Sequence, residues 1–144
     1  MIIIIHSDGG SLGNPGPSAI GVVVEMNGKR KTYAQDIGHG TNNEAEYQAL
    51  IFGLKKVKAL AGGRKAKQTN VQCRLDSQLV VSQLNHEYQL KNPNIINLFV
   101  KVWNLMLDFQ SVTFTHVPRE QNQEADRLVK SVLNRHNQRK MFQW

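Results

Sequence analysis

Four acids in this chain stand where acids are costly unless something uses them. Asp8 follows Ile2-Ile3-Ile4-Ile5, an apolar β-branched run that reads as a buried strand. Gly9, Gly10 and Ser11 come next and leave room for another backbone to approach. Asp76 follows Val71-Gln72-Cys73-Arg74-Leu75, a second candidate strand, and precedes a Ser77 that opens a helix. That puts Asp76 at a carboxyl strand end, where α/β proteins place ligand sites. Glu46 falls on the apolar stripe of a helix with Leu50, Leu54, Val57 and Ala61, at ~100° per residue. Asp126 borders the apolar face of the last helix, beside Leu133.

Taken singly, each acid has a plain explanation. Glu46 fits a capping box with Asn43, Asp76 fits a helix N-cap, and Asp126 fits a surface helix acid. Taken together they imply chemistry. Carboxylates gathered on one rim repel one another unless cations neutralise them. Hard oxygen ligands select Mg²⁺ or Mn²⁺. Two such ions, ~3.5–4 Å apart, suit in-line attack of water on a phosphodiester.

The elements that must position these acids follow from the hydrophobic pattern. Ala19 to Met26 reads as a second strand, Asn27-Gly28 as a hairpin turn, and Arg30 to Ile37 as a third strand. Gly38 to Asn43 reads as a loop leading into a helix from about Glu44 to Leu60, which Gly62-Gly63 stop. On that helix Glu44 is expected to be solvated and Glu46 to point inward. Arg64 to Asn70 is expected to be a polar loop. A helix opens at Ser77 and another runs from Ile95 to Asp108. Val112, Phe114 and His116 then alternate with threonines in a fifth strand. Pro118 to Gln121 is expected to be a loop, with the last helix beginning near Asn122. The order implies one α/β domain over 1–144, a mixed five-stranded sheet made of an antiparallel meander plus parallel strands.

Composition narrows the partners. A net charge of +7, from 18 Lys+Arg against 11 Asp+Glu, suits an anionic partner such as nucleic acid. Basic residues concentrate in two stretches, Lys55 to Lys67 and Arg127 to Lys140. No stretch approaches the ~20 apolar residues of a membrane span. The isoleucine run lacks the flanks of a signal peptide. Cys73 is the only cysteine, which rules out an intrachain disulfide and fits a reducing compartment. A cytoplasmic, monomeric domain without membrane contact is expected.

The residues also match a family. Ser7-Asp8-Gly9-Gly10-Ser11-Leu12-Gly13-Asn14-Pro15-Gly16-Pro17, Thr41-Asn42-Asn43-Glu44-Ala45-Glu46, Leu75-Asp76-Ser77-Gln78 and Asn122-Gln123-Glu124-Ala125-Asp126 resemble type 1 ribonuclease H in order and spacing. The resemblance implies the ribonuclease H fold and cleavage of the RNA strand of RNA/DNA hybrids, leaving 5′-phosphate and 3′-hydroxyl ends. It implies Asp8, Glu46, Asp76 and Asp126 as ligands of two Mg²⁺ or Mn²⁺ ions. It implies that Gly9, Gly10, Ser11, Asn14, Asn42, Asn43 and Gln78 meet the hybrid, and that Thr41 meets a DNA-strand phosphate. Amides can read base edges and the 2′-hydroxyl that marks RNA.

Two departures point to a short, archaeal-type or reverse-transcriptase-like branch. His86 to Asn94 passes directly between helices, without the basic insertion of longer members. Asp8 already belongs to the first motif, leaving no room for a hybrid-binding domain before it. The family also places a product-release residue before the last acid. His116, ten residues before Asp126, has the spacing, but its alternation with Val112 and Phe114 predicts a side chain fixed on a strand face. Arg119, seven residues before Asp126, is expected to be the functional residue, acting electrostatically because a guanidinium keeps its proton. A DNA-directed nuclease of the same fold would not need Asn42, Asn43 and Gln78. A non-catalytic nucleic-acid-binding member would usually lack one of the four acids.

Overall fold

The computed structural model describes residues 1–141, with side chains through Arg139. Its centre is a five-stranded mixed sheet in the order β3-β2-β1-β4-β5. β1 (Ile2–Ser11), β2 (Gly16–Met26) and β3 (Lys29–Gly40) form an antiparallel meander. β4 (Asn70–Leu75) and β5 (Ser111–His116) extend it in parallel on the other side of β1. β1 is therefore central, which its unbroken isoleucine run requires.

Side-chain alternation sorts the two faces. Ile3 and Ile5 of β1 and Ile20, Val22 and Val24 of β2 join the larger core beneath α1 (Asn42–Ala61). α4 (Pro93–Met106) packs on α1 through Ile95, Leu98 and Val102. α3 (Gln78–Leu84) lies against β5. The opposite face is covered by α5 (Gln123–Met141), whose Val129, Val132 and Leu133 meet Ala19.

Several boundaries differ from the sequence reading, each for a local reason. Asp8 is not at the end of β1. The strand stays paired with β2 from Asp8↔Gly21 to Ser11↔Ser18. What ends near Asp8 is β4, whose last pair with β1 is His6↔Arg74. β3 likewise continues through Gly38–Gly40, because β2 remains beside it after a bulge at Ser18/Ala19. α1 is capped by Thr41, not Asn43: Glu44 N–H donates to Thr41 Oγ1, and Thr41 N–H donates to Glu44 Oε1. Glu44 is thus a capping residue rather than a merely solvated one, and Glu46 is released from that task. Ser77, not Asp76, caps α3, accepting from Val80 N–H.

The stretch read as a polar loop contains α2 (Gly63–Ala66), with Ala66 and Thr69 buried. α4 begins at Pro93, two residues early, because Asn92 caps it and proline suits the first helical turn. Arg119–Asn122 forms a short 3-10 helix in place of the expected loop. His116 is exposed rather than fixed against the sheet. β5 is an edge strand, and Phe114 is its one buried residue.

The basic stretches are partly engaged. Lys56 Nζ lies 5.3 Å from the ring centroid of Tyr33 and 5.4 Å from that of Phe52. Lys58 pairs with Asp108 at 3.1 Å, and Lys130 with Asp126 at 2.9 Å. The Lys140 side chain lies outside the described residues. Among the described residues, no helix is long and apolar enough to cross a membrane.

Candidate active site

Two glycines bring the acid-bearing helices to Asp8. A Cβ on Gly9 would stand 2.2 Å from the Ala45 carbonyl carbon, so the start of α1 lies directly on β1. Glu46 therefore arrives beside Asp8. Across the ladder, Gly21 pairs with Asp8. A Cβ there would stand 2.3 Å from the Ala125 carbonyl oxygen, so α5 lies directly on β2. Asp126 is the next residue of that helix. Asp76 comes from the carboxyl end of β4, the strand beside β1.

The structure gathers three of the four acids. One carboxylate oxygen from each of Asp8, Glu46 and Asp76 lies within 4.8 Å of the others. Asp8 and Glu46 are buried, and Asp76 is half-buried. Asp126 stands at the margin, half-buried and paired with Lys130. Glu124 turns away and pairs with Arg30.

This environment opposes ionisation. Burial pushes the Asp8 carboxyl up to about 7, with the charges of Asp76 and Asp126 adding to the shift and the Glu46 hydrogen bond opposing it. Glu46 is raised well above the ordinary range, first by burial and then by Asp8. Asp76 is raised by burial, while the Arg119 and His116 charges pull it back down. Two acids in contact cannot both ionise readily, so without a cation the Asp8–Glu46 pair retains a proton. Glu46 Oε2 is also buried without a hydrogen-bond partner. An orphaned carboxylate oxygen among three hard ligands fits a divalent cation.

The sequence of the reverse transcriptase-like family matches residues 6–132 of this chain. The chain belongs to the reverse transcriptase-like ribonuclease H family. Ribonuclease HI of Halobacterium salinarum is 38% identical over 131 residues, covering 90% of this chain and 63% of the relative. The bifunctional protein Rv2228c of Mycobacterium tuberculosis is 36% identical over 137 residues, covering 93% of this chain. The chain spans 36% of that relative's length. Among solved structures, ribonuclease H1 from Halobacterium salinarum superposes with a TM-score of 0.84 at 34% identity, covering 93% of this chain and 98% of that one. LC11-RNase H1 in complex with an RNA/DNA hybrid gives 0.83 at 38% identity, covering 90% and 94%.

Within this ribonuclease H-family chain, the polar residues read as hybrid contacts fall in two places. Asn14, Thr41, Asn42 and Asn43 border one groove of about 420 Å³. Asn42 Oδ1 accepts from Ser11 N–H at 2.8 Å and from Ser11 Oγ at 3.2 Å. Asn14 Oδ1 accepts from Asn42 N–H at 2.9 Å. Both amide oxygens are thus tied inward, which leaves the NH₂ groups as the free donors. Gln78 is exposed at the start of α3, away from that groove, with Nε2 donating to Ser82 Oγ at 3.2 Å. Gly9 serves close packing. Gly10 leaves a smaller gap against Val129.

Sequence reasoning passed over Asn122 and Gln83. Asn122 is 1% exposed and donates from Nδ2 to the Ser7 carbonyl at 2.9 Å. Its place four residues before Asp126 was the available signal. Gln83 lines the groove with Lys91, and only the folded arrangement of α3 beside α1 reveals it.

Proposed function

We propose that this chain hydrolyses the RNA strand of RNA/DNA hybrids, leaving 5′-phosphate and 3′-hydroxyl ends. The observation that carries the reading is the convergence of Asp8, Glu46 and Asp76 around an unpartnered buried oxygen of Glu46. A relative solved with an RNA/DNA hybrid, 38% identical, supports the substrate. Domain extent, 1–144 as one ribonuclease H domain, is part of the same proposal, as are a monomeric state and a cytoplasmic setting.

Asp8, Glu46 and Asp76 would hold divalent ions, Mg²⁺ or Mn²⁺, with Asp126 completing the set. Bound there, two such ions would lower the pKa of an attacking water and neutralise charge on the phosphodiester. The chain's own residues do the rest. Asp126, paired with Lys130, would give up that partner to help hold a cation. Arg119 and His116, whose charges already reach Asp76, would meet the scissile phosphate. Arg119 would act electrostatically, since its guanidinium does not release a proton near neutral pH. The free amide donors of Asn14 and Asn42, together with the Asn43 amide, would hydrogen-bond minor-groove edges, with the 2′-hydroxyl selecting RNA.

The test is cleavage of labelled hybrid, duplex RNA, single-stranded RNA and duplex DNA, with and without Mg²⁺ or Mn²⁺. Metal-dependent cleavage confined to the RNA strand of the hybrid is expected. Cleavage of duplex DNA instead would favour the DNA-directed alternative, and binding without cleavage the non-catalytic one.

A further inference from the structure

Tyr47 is wholly buried in α1, and its hydroxyl donates to Gln83 Oε1 at 2.9 Å. A buried tyrosine hydroxyl needs a partner, and Gln83 on α3 supplies it. The consequence for Gln83 is directional. With Oε1 held by the tyrosine, the Nε2 donor is the free end of the amide. Gln83 is half-buried and lines the groove between the starts of α1 and α4. Thr41, Asn43, Lys91 and Asn92 line it too, and no carboxylate does. A concave surface of amides, a hydroxyl and one ammonium presents donors and positive charge. Such a surface takes an anionic oxygen.

We propose that Gln83 contacts substrate, donating from Nε2 to a backbone phosphate of the hybrid, on the DNA strand that Thr41 is read to meet. Tyr47 is the positioning residue that fixes the direction of that amide. This rests on the hybrid-cleaving function proposed above.

The test uses the full chain with Gln83→Glu, Gln83→Met and Tyr47→Phe, measuring kcat, KM and melting temperature on an RNA/DNA hybrid. Gln83→Glu places an anion against the phosphate, so KM should rise about tenfold or more while kcat changes much less. Gln83→Met keeps the bulk and loses the donor, and should raise KM by roughly threefold. Tyr47→Phe should also raise KM with kcat nearly kept, because it frees the amide without touching the groove. Melting temperatures identify variants that merely fail to fold. The decisive measurement replaces single DNA-strand phosphates with neutral methylphosphonates, one position at a time. At one position the penalty of Gln83→Glu should disappear. Loss of the penalty only on stepping along the RNA strand overturns the strand assignment. If the unaltered protein cleaves hybrid and all three variants match its KM, the inference is wrong. If the unaltered protein neither binds nor cleaves hybrid, the functional reading falls first and this one with it.

Discussion

Asp8 lies directly across the β1–β2 ladder from Gly21. The pairing places a buried acid of the cluster opposite a point where the α5 backbone lies directly on the sheet. The missing side chain at Gly21 is therefore part of the site, although it lies on a strand that carries no acid of the cluster. Gly21→Ala would drive a methyl group into the Ala125 carbonyl and the first atoms of Leu128. We expect a loss of about 1–3 kcal/mol and a fall in kcat larger than the loss of folded protein, because Asp126 moves with α5. Gly63→Ala is the control, since nothing lies within 4 Å of its added Cβ. Thermal melts and initial rates on the two variants check this. Equal rates in both would show that α5 adjusts without moving Asp126.

Charge rather than shape should govern the acid cluster. Asp8→Asn, Glu46→Gln and Asp76→Asn should each nearly abolish cleavage. Without divalent ions, Asp8→Asn and Glu46→Gln should raise the melting temperature, because they remove the cost of burying repelling carboxylates. Glu44→Gln should leave the rate nearly unchanged, since glutamine can also close a capping box. A matching rate loss in Glu44→Gln would place Glu44, not Glu46, at the cation.

The raised Asp8 carboxyl predicts how stability should vary with pH. Well below pH 3.8 both folded and unfolded chains hold the proton, and Asp8 costs nothing. As pH rises from 3.8 toward about 7, the unfolded chain releases its proton while the folded one keeps it. The Asp8 contribution to metal-free stability should therefore fall through that window and level off above it, with the raised Glu46 adding a loss in the same direction. A bound divalent cation favours the ionised form and removes the penalty. The melting-temperature gain on adding Mg²⁺ or Mn²⁺ should be small at pH 5 and large at pH 7.5. A gain independent of pH would mean that the cations bind elsewhere.

How far the chain could be read in advance depended on which physical signal each feature left. The sheet was legible because short β-branched isoleucine and valine runs, bounded by turn residues, suit buried strands. Glu46 was separable from Glu44 because helical angle alone sets which one faces the core. The capping partner was missed because Thr41 and Asn43 both carry suitable oxygens, and only the backbone decides between them. His116 was misplaced because alternation reports which side of a strand a residue takes, not whether anything covers that side. Gln83 left almost no local signal, and Asn122, though it opens the motif that ends at Asp126, gave no sign of the bond it makes. Their partners, Tyr47 and the Ser7 carbonyl, are 36 and 115 residues away.

Asn122 ties the turn before α5 to the strand bearing Asp8, through its bond to the Ser7 carbonyl. Asn122→Ala would leave that buried carbonyl without this donor, costing about 1–3 kcal/mol. It would also loosen the spacing between Asp8 and Asp126. We expect a lower kcat, a higher Mn²⁺ concentration for half-maximal rate and a nearly unchanged KM for hybrid. A lower melting temperature with an unchanged metal titration would make the bond structural only.

His116 and Arg119 can be separated because both are exposed yet differ in chemistry. Both charges act on Asp76, and Arg119 acts more strongly. Neither side chain is buried, so neither alanine variant should lower the melting temperature by more than about 2 °C, as exposed substitutions usually stay within ±0.5 kcal/mol. Arg119→Ala should reduce kcat on the order of tenfold, because it removes a fixed positive charge from the place where the phosphate's charge develops. Arg119→Lys should restore part of that loss, since it returns the charge without the planar fork. His116→Ala should cost less than Arg119→Ala, since the His116 charge acts on Asp76 more weakly. If His116→Ala loses turnover and Arg119→Ala keeps it, the roles are reversed. A histidine that acts as a proton carrier, rather than as a charge, would then be the residue that releases product.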